Sequence, residues 1–426
     1  MATGLKRTLG FPMLTFYGTG MILGAGIYSI IGRAAAQTGE TLWLGFALAG
    51  FAALLTALSY AELSTMFPKA GAEFVYLNEA FKKRKWIGST VGVAMAFSGA
   101  ATAATVALAF AGYLGEFVTV PQTLVALGVL SFFTLIAIIG IRESGWVIVI
   151  STLVEVGGLI FIIYLGMTSD KFGDALSTMP HLGTVSGSAL IIFSFFGFEN
   201  IVNLAEETKK PERDLPRAIL LSVVIATVLY ILVSLSSLSL LGSEKLALSS
   251  APLMSVAQVA SEKAARVLGA IALFSTANTA LISLIGASRI VYGMGRAQAL
   301  PAVLAKVLKK RKTPWLASLL VLIVAAGLIP FGKLETVASI SSLATMIAFV
   351  SVNIALISLR YTSSSRKRPF RVPLSIGRTP ILPLVAAILA LCLLTQFELK
   401  IYLIGGGFLV ASALALLWRD RRLNET

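Results

Sequence analysis

The feature that most constrains this chain is its succession of apolar blocks, each long enough to cross a hydrocarbon core of about 30 Å, for which roughly 20 helical residues are needed. Marking the blocks and the polar breaks between them gives about twelve spans, at 11–34, 41–66, 87–119, 122–140, 146–167, 185–205, 216–242, 264–292, 314–331, 335–359, 380–397 and 400–418. A backbone inside a bilayer has to satisfy its own hydrogen bonds, so blocks of this length are predicted to be helices. Composition agrees: the 426 residues are 57% hydrophobic and 13% charged, with a mean hydropathy of +0.88, about half the charge of a soluble domain. The chain reads as an all-α polytopic membrane protein in one transmembrane domain, 1–426, with the bilayer as its first partner. Met1–Gly10 is too short and polar for a cleavable signal peptide, so the block from Phe11 is taken as the first span. No organellar targeting segment is visible, and the expected location is a cytoplasmic membrane.

A formal charge of +15 raises nucleic acid as a partner. The basic residues sit in short clusters between apolar spans, where they set membrane orientation, and nucleic-acid binding is excluded on that ground. Placing the N-terminus in the cytoplasm puts Lys69, Lys82–Lys85, Lys209, Lys210, Lys309–Lys312, Arg366–Arg368 and Arg419–Arg422 on the inside. Of the 35 Lys and Arg, only Arg33, Lys171, Lys245, Lys263, Arg266, Lys333 and Lys400 then fall outside. Miscounting by one span would invert every later loop, so this bias supports twelve spans with both termini cytoplasmic. The single cysteine, Cys392, and the single histidine, His181, allow neither a disulfide framework nor a His/Cys metal site. No metal and no cofactor is expected.

Two spans are interrupted. The first holds Gly18, Gly20, Gly24, Gly26 and Gly32, and the sixth holds Phe193-Ser194-Phe195-Phe196-Gly197-Phe198-Glu199-Asn200. Breaks at matching positions of two five-span halves point to an inverted-repeat carrier with its binding site between them. A zwitterion in a bilayer needs a partner for each charge, because an unpaired ion there costs several kcal/mol. Opened main chain supplies both partners. Where Gly24-Ala25-Gly26 leaves helical geometry, amide hydrogens lose their i−4 acceptors and can face a carboxylate at the start of the next half-helix. Carbonyls freed around Phe193–Gly197 can accept from an ammonium, with the aromatic rings closing over the ligand or its cationic end.

The segment Leu23-Gly24-Ala25-Gly26-Ile27-Tyr28 resembles the glycine signature in the first helix of the amino acid/polyamine/organocation transporters. Phe195–Glu199, followed by Ala205-Glu206-Glu207-Thr208-Lys209-Lys210-Pro211 and Pro216–Ile219, is similar to that family's sixth helix and the loop after it. Ser59–Leu63 with Phe67–Glu73 resembles its second helix and following loop, and Arg289–Pro301 the end of its eighth. The resemblance implies a LeuT-type five-plus-five inverted repeat with discontinuous helices 1 and 6, a first repeat over about 11–167, a second over about 185–359, and two extra helices over about 380–418. It implies secondary transport of amino acids or related amines by alternating access. Position by position it places carboxylate-binding amides at Ala25, Gly26 and Ile27, and ammonium-binding carbonyls at Ile22, Phe193, Ser194 and Phe196, around the hinge glycines Gly24 and Gly197.

The chain departs from that pattern at one position. Many amino acid members carry a lysine in the fifth helix near the place where related carriers hold sodium, whereas the matching run here, Thr152–Gly158, has Glu155. An intramembrane carboxyl is a functional candidate by default: it can take up and release a proton as access alternates, or ligate sodium. Thr276, Thr279 and Ser283, three and four apart on one helix face, are expected as its polar partners. Glu62 and Glu199, nearer the span ends, are expected to brace a gate through basic loop residues.

The resulting expectation is a permease, not an enzyme, with proton coupling through Glu155. The alternatives are a polyamine or cationic amino acid exchanger, in which Glu155 answers a positive substrate, and a sodium-coupled carrier. A membrane enzyme is disfavoured because no nucleophile–base pair or metal cluster appears, and a channel because the polar residues gather at the two breaks instead of lining a path.

Overall fold

The structure, a computed structural model, describes residues 5–425 apart from 116, 117, 119, 174–177, 250 and 331–333, and leaves the side chains of 25, 29, 334, 335 and 418–425 outside the description. The chain runs through α1 (Phe11–Thr38), α2 (Leu42–Met66), α3 (Ala72–Ala80), α4 (Lys85–Gly115), α5 (Gln122–Ile139), α6 (Ile141–Met167) and α7 (Leu182–Ile191). Two 3-10 segments, Ile192–Phe195 and Phe198–Glu207, continue α7. Then come α8 (Pro211–Leu248), α9 (Pro252–Gln258), α10 (Glu262–Arg296), α11 (Trp315–Leu328), α12 (Leu334–Thr362), α13 (Ile381–Leu394) and α14 (Leu399–Glu425), with a small antiparallel pair, β1 (Ser375–Ile376) and β2 (Thr379–Pro380), before α13.

Among the described residues nine helical stretches are long and apolar enough to cross a bilayer, the first running Ile30–Met66 through the turn at Gly39–Thr41, and two shorter apolar helices are Trp315–Leu328 and Ile381–Leu394. Separating α1 from α2 at that turn gives twelve spans, in the order and close to the bounds expected. Local signals set the ends. Proline stands at or just before the starts of α5, α8, α11 and α13, where a missing N–H costs nothing. The apolar run expected to end at 242 meets a bend at Gly242, φ 74°, and α8 carries on to Leu248 in a new direction. The helices α3 and α9 and the β-pair lie in loops whose hydropathy carried no sign of them.

The spans α1, α8 and α10 and the 182–207 stretch form the centre of the bundle, with α2 lying along α8 and α4 along α10. The least enclosed span is α14 and the most enclosed α10. Phe51, Phe132, Trp146, Ile160 and Ile323 are exposed on the outside, as expected of a surface solvated by lipid. Helices meet in lipid through close backbone approach at small residues: Gly50 packs on Thr227 and Gly166 on Ser236.

Polar ties fasten the face carrying the chain termini, three sets of them across separate elements. The Glu207 carbonyl accepts from Thr8 N (2.9 Å) and Leu9 N (3.0 Å), and Lys209 N donates to Leu9 O (2.9 Å), so the segment ahead of α1 pairs with the end of the sixth span. The Glu207 carboxylate takes both Nη2 (2.7 Å) and Nε (3.1 Å) of Arg289 from α10, with neither side chain exposed. Glu62 of α2 accepts from Arg360 Nη2 (2.6 Å), Arg368 Nε (3.0 Å) and the Val372 amide (2.8 Å), binding the loop after α12 to α2. Glu62 is therefore paired with basic residues, one of them, Arg368, in the loop after α12.

Candidate functional site at the two broken helices

Both expected interruptions are present, and they touch. In α1 the backbone leaves helical geometry at Gly24, φ −33° and ψ −143°, which rotates the peptide plane carrying the Gly24 carbonyl and the Ala25 amide. The break is narrower than expected: among residues 11–38 only Gly24 departs from helical dihedrals, and Gly26 stays in the helix against the Ser194 backbone. A side chain at 24 would put its Cβ 2.0 Å from Thr279 Oγ1, so the break needs glycine for room. In the sixth span α7 tightens to 3-10 over Ile192–Phe195, Phe196 is extended (φ −62°, ψ 140°), and Gly197 turns the chain at φ 130° before the second 3-10 segment. A Cβ on Gly197 would lie 2.4 Å from Met21 Cγ, and one on Gly26 would lie 3.0 Å from Ser194 Cα.

The residues expected to bind substrate are thus one constellation. Ile22 and Ile27 are buried in α1 on either side of Gly24. Ala25 follows Gly24, its side chain being outside the described residues. Across from them the Phe193 carbonyl accepts a long bond from Phe196 N, 3.4 Å, and Ser194 turns its hydroxyl to Ile191 O, 2.7 Å. The Gly197 amide, at the head of the second half-helix, donates to Glu199 Oε2, 2.8 Å, and Asn200 Nδ2 donates to Glu199 Oε1, 3.3 Å. Glu199 accordingly caps its own break and is joined to no basic loop residue among the described residues, which corrects the bracing role expected of it. The geometry that explains this is short: one residue, Phe198, separates Glu199 from the amide freed by the turn at Gly197.

A residue that sequence reasoning passed over joins the breaks. The Tyr230 hydroxyl, from α8, donates to Ile22 O at 2.6 Å and leans on Ser194 O at 3.2 Å. A phenol has one proton, so it serves two freed carbonyls incompletely. The available signal was a tyrosine well inside an apolar span, whereas membrane tyrosines favour the interfaces.

Glu155 is fully buried in α6. Asn278 Nδ2 of α10 donates to Glu155 Oε2 (3.3 Å) and to Thr152 Oγ1 (3.1 Å), and Thr152 Oγ1 donates to Phe16 O (3.3 Å) of α1. Glu155 Oε1 and Asn278 Oδ1 have no hydrogen-bond partner among the described residues, and the Ser275 hydroxyl stands beside the Glu155 carboxyl. The expected partners were the wrong members of that helix. Thr276 bonds back to its own helix at Ala272 O, Thr279 bonds back to Ser275 O while standing over Gly24, and Ser283 reaches Met21 Sδ. A 3.6-residue helix turns position 278 toward α6, a rotation that spacing alone leaves open.

Twelve spans around two touching helix breaks define a multi-pass membrane carrier. Comparison with known proteins gives the family: the family model described as amino acid permease matches residues 9–404. The branched-chain amino acid permease BcaP of Bacillus subtilis is 28% identical over 414 residues, covering 92% of this chain and 88% of that one. The methylthioribose transporter of the same organism is 29% identical over 415 residues, covering 93% and 89%, and the vacuolar cationic amino acid transporter 8 of Arabidopsis thaliana is 28% identical over 377 residues, covering 84% and 64%. The chain belongs to the amino acid permease family, a family of transporters, and its function is amino acid transport.

Proposed function

We propose that this protein is a secondary carrier that binds an amino acid or related amine between residues 22–27 and 193–197 and passes it across a cytoplasmic membrane by alternating access. The observation that carries the reading is the contact of the two breaks under one hydroxyl: Tyr230 occupies, with a single proton, carbonyls that an ammonium can serve with three. The substrate carboxylate faces the amides of Ala25, Gly26 and Ile27, and its ammonium the carbonyls of Ile22, Phe193, Ser194 and Phe196. Two repeats, about 11–167 and 185–359, with extra helices over about 380–418, are supported by the pairing of each repeat's second and third spans with their counterparts, α2 with α8 and α4 with α10. The Lys/Arg bias supports cytoplasmic termini.

Glu155 is the coupling group in this reading. It is buried at the junction of α1, α6 and α10, with one oxygen left open and no cation paired to it among the described residues, a place from which proton uptake is felt by the broken helix. A second reading rests on the same open oxygen: Glu155 balances the side chain of a cationic substrate, as the similarity to cationic amino acid transporters suggests. Sodium at Glu155 is the third.

A thermal-shift screen of purified protein against the amino acids and common polyamines tests the carrier reading, since ligand at 100 times its Kd adds about 2.7 kcal/mol to native stability. Absence of any stabilising amino acid or amine, together with absence of counterflow in proteoliposomes, refutes it. Under an imposed pH gradient Glu155→Gln should lose gradient-driven accumulation while keeping exchange. Unchanged accumulation in that variant eliminates the proton role, and selective loss of cationic substrates favours the second reading.

A further inference from the structure

The two helices outside the proposed repeats reach the binding site through one ring. Between α13 and α14 the chain turns over residues 395–398, and Thr395, Gln396 and Glu398 are exposed. Phe397 alone in that turn is directed inward: its centroid lies 5.5 Å from that of Phe193, edge to face at 75°. Phe193 in turn meets Phe196 at 5.3 Å and 80°, and Phe196 meets Phe349 of α12 at 5.3 Å and 78°. The turn that presents Phe397 is held from several sides. Thr395 Oγ1 donates to Cys392 O at 2.7 Å and Gln396 N to Leu393 O at 3.1 Å, while the Tyr402 hydroxyl closes on Leu394 O and its ring packs edge-on against Phe397 at 6.3 Å.

Phe193 and Phe196 are only partly buried although Ser194, Phe195, Gly197 and Phe198 around them are buried. Phe193 stands on the side of the break away from the chain termini, because the sixth span reaches it before Gly197 on its way to the terminus-bearing face. The backbone of Phe193 is part of the proposed ammonium site. A ring that moves with that backbone opens or covers the site toward the opposite face, and whatever holds the ring holds the site covered.

We propose that Phe397 is a positioning residue that latches the Phe193 ring over the site, so that α13 and α14 set how readily the site opens to the face opposite the termini. The inference rests on the site proposed above. It gives the extra helices a part in the transport cycle beyond filling bilayer around the repeats. One favourable edge-to-face pair corresponds to a change of roughly three- to tenfold in the opening equilibrium.

The test uses the full chain in sealed vesicles, with the exposed Cys392 replaced by serine. Ser283→Cys serves as reporter, its position lying beyond the break beside Met21. A membrane-impermeant methanethiosulfonate is added at the face opposite the termini, and radiolabelled leucine and arginine uptake is followed in the same vesicles. Phe397→Ala should speed reporter labelling three- to tenfold from that face and leave labelling from the terminus-bearing face unchanged, and Phe397→Tyr should restore the original rate. Equal labelling of Phe397→Ala and its parent, or acceleration from both faces alike, overturns the latch. Failure of the parent to take up either amino acid while its labelling still responds to Phe397→Ala counts against the substrate reading and leaves the latch standing.

Discussion

Glu73 should make the protein less stable as pH rises, and by an amount that can be worked out. It sits in the first turn of α3, fully buried, with Oε1 accepting from the Tyr60 hydroxyl at 3.3 Å and Oε2 without a hydrogen-bond partner among the described residues. No cation pairs with it there. Burial is the main influence on its carboxyl, and the nearby Glu199 carboxyl adds to it, together pushing it up to about 7 against the weaker opposing effect of its hydrogen bonds. The native state therefore holds a proton that the unfolded chain has released anywhere between about pH 4.5 and 7. With more protons bound in the native state, stability falls as pH rises, by about 1.4 kcal/mol per unit and about 3 kcal/mol over the whole window. The contribution is fully present below the lower bound and is gone above the upper one. Glu73→Gln keeps a polar, neutral group in place and removes this linkage. At about 2.1 cal/mol/K per residue of unfolding entropy, a chain of this length converts 3 kcal/mol into a shift of roughly 3 °C. Intrinsic-fluorescence melts of both proteins in detergent at pH 5, 6, 7 and 8 should show curves that nearly coincide at pH 5 and separate in favour of the variant toward pH 8. A gap between them that stays constant across that range refutes the reasoning, since a lost hydrogen bond alone has no such slope.

Tyr230→Phe leaves the Ile22 carbonyl without its 2.6 Å donor, at a cost of about 1–3 kcal/mol. The melting temperature should drop by a few degrees, and saturating substrate should narrow the gap by donating to the same oxygen; a gap indifferent to substrate counts against the shared site. Gly24→Ala drives a Cβ to 2.0 Å from Thr279 Oγ1, so counterflow should fall at least about tenfold, with partial recovery when Thr279→Ala is added. No recovery refutes the clash with Thr279 as the cause. Arg289→Met strands the buried Glu207 carboxylate and should cost about 3–5 kcal/mol, seen as a large loss of thermal stability that the double variant with Glu207→Leu substantially repairs.

The sequence by itself determined the class of the protein, the number and order of its spans and the two places where helices break. These are local properties: the length of an apolar run, glycine where a side chain has no room, and lysine on one side of alternate loops. Even the stop at 242 was legible, though as a span end and not as the bend it is. What required the tertiary structure was every relation across the bundle. Tyr230 reaches a carbonyl 208 positions away, Asn278 instead of Thr276 or Ser283 turns to Glu155, Glu199 closes on its own turn, and Phe397 touches Phe193. Hydropathy counts the tyrosine and the phenylalanine as ordinary apolar residues, and it counts Glu73 as a loop charge although the fold buries it completely. Helix rotation and the packing of distant spans decide which of these groups meet, and a one-dimensional pattern carries no information on either.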